Sequence, residues 1–526
     1  MKSEQLQDAL SHISDKHLSE AAAYRRRSHA PVFRAIAACL ALALIGGAVF
    51  WAFSHDNADI SLEAPPTTKP IITEPTTGVS TEPTVPTLPD TSFKPEVVYP
   101  ERLVAAPAYP QLSIFPTNSA DYDLWAQQHM QWSDSRNALH NAPVGYADSL
   151  AAFWNESIPV YLSDNAGTNA VYSPVSLYLT LSILAQCTDG VSRQQILDLL
   201  GAQQMEDLAE QARLVFNAHY ENDGVHTSIL ANSIWLDDAY DFRPDTVKTL
   251  ADQFYASVYH GALESAEMNI ALKDWLNAQT GGLLKDSIGR LDSMNDRTAM
   301  VIASTINYRC KWSNIFNPKL NTQDAFHGPA GDKTTTYMHG SAMYSPYFWG
   351  ADYASTYLSL DDGNRLWLIL PDEGYTPEDL LKSGNALDMI VNYNVYDTPY
   401  SNEPVYPDQK SVLVNLAVPK FDVSADLNLL DGLIQLGVTH ALDAGQANFD
   451  GISPYDQDLY VSSAQQGVRV SIDEDGLTGV AYTLMGICGA GAPPEEQVDL
   501  ILDRPFLFVL ESSDGLPLFT GIVNQP

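Results

Sequence analysis

Basic residues are scarce in this chain: 28 Lys and Arg stand against 65 Asp and Glu, a formal net charge of -37 over 526 residues. A surface so poor in cations has little with which to grip a phosphate backbone, so nucleic acid is excluded as a partner. The same acidity suits a soluble, self-repelling exterior. Cysteine is nearly missing too. The four, Cys39, Cys187, Cys310 and Cys488, lie far apart without a C-x-x-C pair, so neither a metal site nor a disulfide framework is indicated. Cys187 and Cys310 fall in apolar segments and read as core thiols, whereas Cys488 lies in a small-residue stretch that reads as an exposed loop. Enzyme signatures are absent: there is no H-E-x-x-H, no G-x-S-x-G and no Walker loop, and the twelve His are scattered. No catalytic residue, metal or cofactor is therefore indicated.

Long apolar runs are also rare, which makes the single one informative. Residues 35–53, AIAACLALALIGGAVFWAF, carry no charge and are close to the length that crosses a hydrocarbon core of roughly 30 Å as a helix. Arg25, Arg26, Arg27 and Arg34 precede it and Asp56, Asp59 and Glu63 follow, so the positive-inside rule places the N-terminus in the cytoplasm and the bulk of the chain outside. A cleaved signal peptide is the competing reading; the long charged lead-in and the missing A-x-A site favour an uncleaved anchor. Residues 1–34 form a short cytoplasmic segment. Residues 54–100, crowded with Pro and Thr, cannot bury a core and read as an extended stalk. Residues 101–526 then form one large domain. Its lead, 101–145, contains Trp125 and Trp132 and is expected to pack against the core, 146–526, where a helical half precedes a strand-rich half in an α+β pattern.

Near the end stands LILDRPFLFVL, residues 500–510, followed by GLPLFTGIVNQP, which read as two buried strands joined by a Pro-broken bend. Upstream lies VRVSIDEDG, residues 468–476, and then a stretch of small or uncharged residues from Leu477 to Pro494. Earlier blocks are NAVYSPVSLYLTLSILAQCTDGVSRQQILDLLG (169–201), ANSIWLDDAYDFRP (231–244), LKDWLNAQTGGLLKD (272–286), INYRCKWSNIF (306–316) and VNLAVPKFDVSADLNLLDGLIQLGVTHALDAGQANFDGIS (414–453). In this order, over about 360 residues, they resemble the serpins, and the whole is identified as a bacterial, membrane-anchored member of that family. The resemblance implies a large central sheet with further sheets, about eight or nine helices and an exposed reactive-centre loop.

It also implies that the chain is not an enzyme, and it implies a mechanism. A target protease cleaves the loop, becomes acylated, and is carried along as the freed loop inserts into the sheet as a new strand. The hinge would comprise Glu474, Asp475, Gly476, Leu477, Thr478, Gly479, Val480 and Ala481, with Leu477, Gly479, Ala481 and Thr483 pointing inward. Leu477 departs from the small residue usual there, and Val480 and Tyr482 interrupt the usual alanine run. Ser173 and Ser176 match the family's shutter serines and Trp312 the breach aromatic, while Ser304 and Gln466 replace the usual Asn and His. Ser173 before Pro174 also suits a plain helix N-cap. Counting along the loop puts the reactive bond at Ala490-Gly491, within a window from Ile487 to Ala492. Every residue in that window is small or apolar, which favours elastase-like or subtilisin-like serine proteases over trypsin-like ones. The expected product is a monomeric suicide inhibitor of extracellular serine proteases on a bacterial surface. The alternative is a non-inhibitory binding module on the same fold, for which the altered hinge speaks.

Overall fold

The computed structural model describes residues 99–109, 130, 146 and 148–526, apart from 166, 223–225, 283, 285–292, 315, 394–407, 456–458 and 478–495. The apolar run 35–53, residues 54–98 of the stalk, Trp125, Trp132, Cys488, Thr478, Gly479, Val480, Ala481, Thr483 and the bond Ala490-Gly491 lie outside the described residues. Among the described residues, no helix is long and apolar enough to cross a membrane.

Seventeen strands lie along the described chain, with most of the helices among the first five of them: β1 Leu103–Ala105, β2 Ala170–Tyr172, β3 Glu221–Asn222, β4 Thr227–Asp237, β5 Ala256–Gly261, β6 Met300–Lys311, β7 Thr322–Gly328, β8 Gly331–Trp349 and β9 Tyr353–Ser359. They continue as β10 Arg365–Pro371, β11 Gln409–Pro419, β12 Phe421–Asn428, β13 Gln465–Ile472, β14 Gly476–Leu477, β15 Gln497–Ile501, β16 Phe506–Glu511 and β17 Pro517–Val523. The α-helices among the described residues are α1 Ala151–Leu162, α2 Pro174–Cys187, α3 Gly190–Leu199, α4 Met205–His219, α5 Pro244–Phe254, α6 Ala266–Gln279, α7 Pro377–Ser383, α8 Asn385–Asn392 and α9 Leu430–Gln435.

Two sheets organise them. The first has eight strands in the order β1-β5-β4-β6-β14-β13-β12, with β3 on β4; the second has nine, in the order β15-β11-β8-β9-β10-β16-β17-β2, with β7 on β8. Apolar runs decide which strands lie at the centre. Every residue of β10, β16 and β17 is buried, as the unbroken apolar stretches of a strand covered on both faces require. Helix α2 packs on β6 of the first sheet and β17 of the second. Its start is fixed locally: Ser173 is extended, its hydroxyl accepts from Ser176 N, and Pro174 opens the first turn without a donor to lose. Helix α6 ends where Gly281 and Gly282 take φ of 59° and 79°, a conformation open to glycine without steric cost. Cys187 and Cys310 are free, buried thiols.

The structure corrects the reading of residues 500–510. Two strands joined by a bend are there, but only the second is buried throughout; the first is half exposed. Strand β15 is an edge strand that pairs in parallel with β11, whereas β16 lies between β10 and β17. Leu500 points inward and is buried, but Ile501 is 48% exposed. A short apolar run hides this alternation, because a half-buried edge and a covered centre both accept Leu and Ile.

Candidate functional site

The hinge begins in a tight turn after β13. Asp473 Oδ1 accepts from the backbone N–H groups of Asp475 and Gly476 at 2.9 and 3.2 Å, and Asp473 N donates to Gly476 O at 3.1 Å. Trp312, fully buried, clamps the turn from outside: its indole Nε1 donates to Asp473 O at 2.8 Å and its backbone N to Asp475 O at 3.3 Å. Burial pushes the Asp473 carboxyl above its ordinary range, opposed by those two backbone donors.

Glu474 faces Lys420, the residue between β11 and β12, with Nζ–Oε2 at 2.6 Å, and Asn321 Nδ2 donates to its other oxygen. Burial raises the Glu474 carboxyl, but the Lys420 ammonium and the Asn321 amide outweigh it and leave it below the usual carboxylate range. Neither Lys420 nor Asn321 was singled out in the sequence, since nothing local to either marks it as a partner of the hinge.

Beyond the turn the chain enters the sheet. Gly476 and Leu477 form β14, antiparallel to both neighbours, with Gly476 opposite Lys311, and Leu477 opposite Cys310 on β6 and Ile472 on β13. The loop is thus not wholly outside, as the resemblance implied: Leu477 is 3% exposed, already seated between the strands. Its size is explained by this position, because a buried leucine gains about 2 kcal/mol over an exposed one. Gly476 is required here. Its φ is 155°, and a Cβ would lie 2.2 Å from Cys310 O and 2.7 Å from Lys311 Cα, both backbone atoms that cannot swing aside.

Below Leu477 the two strands part. No ladder joins β6 to β13 among the described residues; β13 is paired on its other side with β12, and β6 with β4. The opening contains a cavity of about 30 Å³ lined by, among others, Ser173, Ser176, Ser304, Thr305, Gln466 and Val468. Gln466 reaches across from β13 and grips Ser173 twice, its Oε1 accepting from Ser173 N at 2.9 Å and its Nε2 donating to Ser173 O at 3.0 Å. Ser173 Oγ donates to Leu518 O on β17, and Ser176 Oγ donates to Ser304 O on β6. Ser304 therefore contributes its carbonyl, not its hydroxyl. The Ser304 Oγ, Thr305 Oγ1, Asn307 Oδ1 and Arg309 Nε atoms along β6 are buried without a protein hydrogen-bond partner. What the arrangement offers is an incompletely filled slot with one strand end already in it.

The family model for "Serpin (serine protease inhibitor)" matches residues 158–526. Among curated proteins, the chain is 26% identical to Serpin-Z2B of Triticum aestivum over 371 residues, 68% of this chain and 90% of the relative. Among solved structures it is similar to the thermophilic serpin tengpin in its native state, with a TM-score of 0.63 and 22% identity, covering 73% of this chain and 95% of tengpin. Tengpin in its latent state gives a TM-score of 0.59 at 20% identity, with 73% of this chain and 98% of tengpin covered.

Proposed function

The chain belongs to the serpin family, and on that premise we propose that it is a suicide inhibitor of extracellular serine proteases that works by loop insertion. The observation that carries the reading is the seat of Gly476 and Leu477 between β6 and β13, above a stretch where those strands are not paired to each other. Continued in the same register, the loop would run down β6 until Ile487 stood opposite Met300. That end point falls at the start of the window proposed for the reactive bond. The inserted strand would supply backbone partners to both open edges and, in that register, set Tyr482 opposite Thr305 and Thr483 opposite Ser304, whose hydroxyls are buried without a partner. Buried polar groups left unpaired cost roughly 1–3 kcal/mol each, so the uncleaved sheet holds free energy that insertion releases.

The protease class follows from the bait. With only small or apolar residues from Ile487 to Ala492, including Ala490-Gly491, elastase-like or subtilisin-like enzymes are the proposed targets. The apolar run at 35–53 and the Pro/Thr-rich 54–100 support a single-pass anchor and stalk that present a monomeric inhibitor outside a bacterial cell. The chain itself needs no catalytic group for this role.

The test is incubation of the full chain with elastase, subtilisin and trypsin, followed by denaturing electrophoresis. Elastase or subtilisin should yield a covalent complex that survives SDS, and trypsin should not. Cleavage with no covalent complex for any of the three would replace the inhibitor by a serpin-fold binding module, and faster complex formation with trypsin would overturn the bait assignment.

A further inference from the structure

The bait discriminates weakly. Every residue from Ile487 to Ala492 is small or apolar, and an apolar pocket separates substrates that differ by one methylene by only about 10- to 200-fold. A protease held on the loop also covers the ground around it. Five residues lead from Gly491 to Glu496, so even a fully extended chain sets them no more than about 18 Å apart. A specific protein contact of about 800 Å² per partner reaches roughly 16 Å from its centre. Glu496 therefore stands at the rim of such a contact, together with the side chains beside it.

Those side chains come from β11 and β8. Leu413 N donates to Glu496 O at 3.2 Å, which ties the end of the loop to β11, and the Glu496 carboxylate pairs with Lys410 of the same strand. Lys410 lies opposite Tyr347 of β8, and Trp349 follows two residues on, so the three side chains leave one face of the sheet. The rings of Tyr347 and Trp349 stack with centroids 6.1 Å apart, and the Lys410 ammonium stands 5.7 Å from each. Both rings are half-buried, and the Lys410 side chain is 33% accessible. Any apolar residues could close this margin of the sheet; a Trp-Tyr pair that holds a cation is the composition that carries binding energy at protein contacts. In a chain of net charge -37, Lys410 is one of the few places where an approaching carboxylate meets attraction. Its present partner, Glu496, is 60% accessible, and exposed pairs of this kind contribute little, so the ammonium can exchange it for a carboxylate of another protein.

We propose that Tyr347, Trp349 and Lys410 form a second contact for the target protease, on the C-terminal side of the reactive bond, which takes an apolar, carboxylate-bearing edge of the enzyme beside its cleft. This contact rests on the inhibitor reading and adds to it a selectivity among proteases that the bait cannot tell apart.

Full-length wild type, Trp349→Ala and Lys410→Glu are mixed with elastase and with subtilisin, and the second-order rate of covalent complex formation is read at low and at high salt. With the enzyme that wild type traps faster, Trp349→Ala should lose about tenfold in rate at both salts. Lys410→Glu should lose about tenfold at low salt and about threefold or less at high salt, where charge is screened. The preference for that enzyme over the other should shrink by a similar factor. The number of inhibitor molecules consumed per protease should stay at the wild-type value, and each variant nicked in its loop should gain the same rise in unfolding midpoint as wild type. Wild-type rates in both variants would overturn the second contact and leave the inhibitor reading standing. So would an equal loss toward both enzymes, or a slower variant whose stoichiometry or nicked midpoint had also changed, because the substitution would then act through the fold or through insertion. If Trp349→Ala does not fold, Trp349→Leu, which keeps apolar bulk without the ring, carries the same expectation and the same overturning results. No covalent complex between wild type and either enzyme would sink the inhibitor reading, and the second contact with it.

Discussion

At the scale of single residues, Glu511 is the most telling group outside the slot. It is buried on β16 beside Arg365 of β10, with Nη2–Oε2 at 3.0 Å, and accepts from Trp367 Nε1 at 2.6 Å. Arg365 lies over the rings of Tyr357, Trp367 and Tyr393 at 5.6 to 5.9 Å. Burial pushes the Glu511 carboxyl up to about 7, although Arg365 and Trp367 pull the other way and Asp514 adds to the rise. A carboxyl whose folded value lies above its unfolded value takes up a proton on folding. Its contribution is therefore fully present below about pH 4.5 and is lost as pH rises through about 7. Glu511→Gln cannot ionise, so the unfolding midpoint of wild type, relative to that variant, should fall between pH 5 and 7.5. Parallel midpoints across that range, measured at one scan rate, would show that Glu511 titrates normally.

Among the secondary elements, β14 decides how the loop stands. Gly476→Ala places a methyl group against two backbone atoms of β6, so the hinge should leave the sheet and expose Leu477. The loss is about 2 kcal/mol, the value of one buried leucine. Hydrogen exchange at Leu477 and Cys310 should rise while the β16–β17 ladder stays protected; retained protection at Leu477 would mean that the strand tolerates the methyl group. The hinge was legible in the sequence because Glu474, Gly476 and the small residues after it form a local pattern. Lys420, its ion partner, was not, since it meets Glu474 only through the pairing of β12 with β13. The extra strand β1 was equally hidden: LVA is too short to show a period, and its pairing with β5 is set by tertiary contacts. Leu477 reads in sequence as a departure from a small hinge residue, whereas in the fold it fills the top of the slot.

For the whole molecule, loop insertion makes cleavage a stabilising event. Insertion from Thr478 to Ile487 would add about ten residues paired on both sides to the middle of the first sheet, roughly twenty hydrogen bonds, which at about 0.5 kcal/mol net each, the low end of the usual range, amounts to about 10 kcal/mol. Ordinary domains gain roughly 2 to 4 °C per kcal/mol, so nicking the full chain between Ile487 and Ala492 should raise its unfolding midpoint by about 20 to 40 °C. Unfolding of so large a chain is expected to be irreversible, so intact and nicked samples must be heated at one scan rate. The size of the shift matters as much as its sign. A nick that only relieved strain in an exposed loop would move the midpoint by a degree or two, because nothing new would be buried. A shift of tens of degrees requires β6 and β13 to have gained a strand between them, with Gly479, Ala481 and Thr483 following Leu477 into the slot. An unmoved midpoint would leave Gly476 and Leu477 as a fixed two-residue strand and the protein as a binding module on the serpin fold.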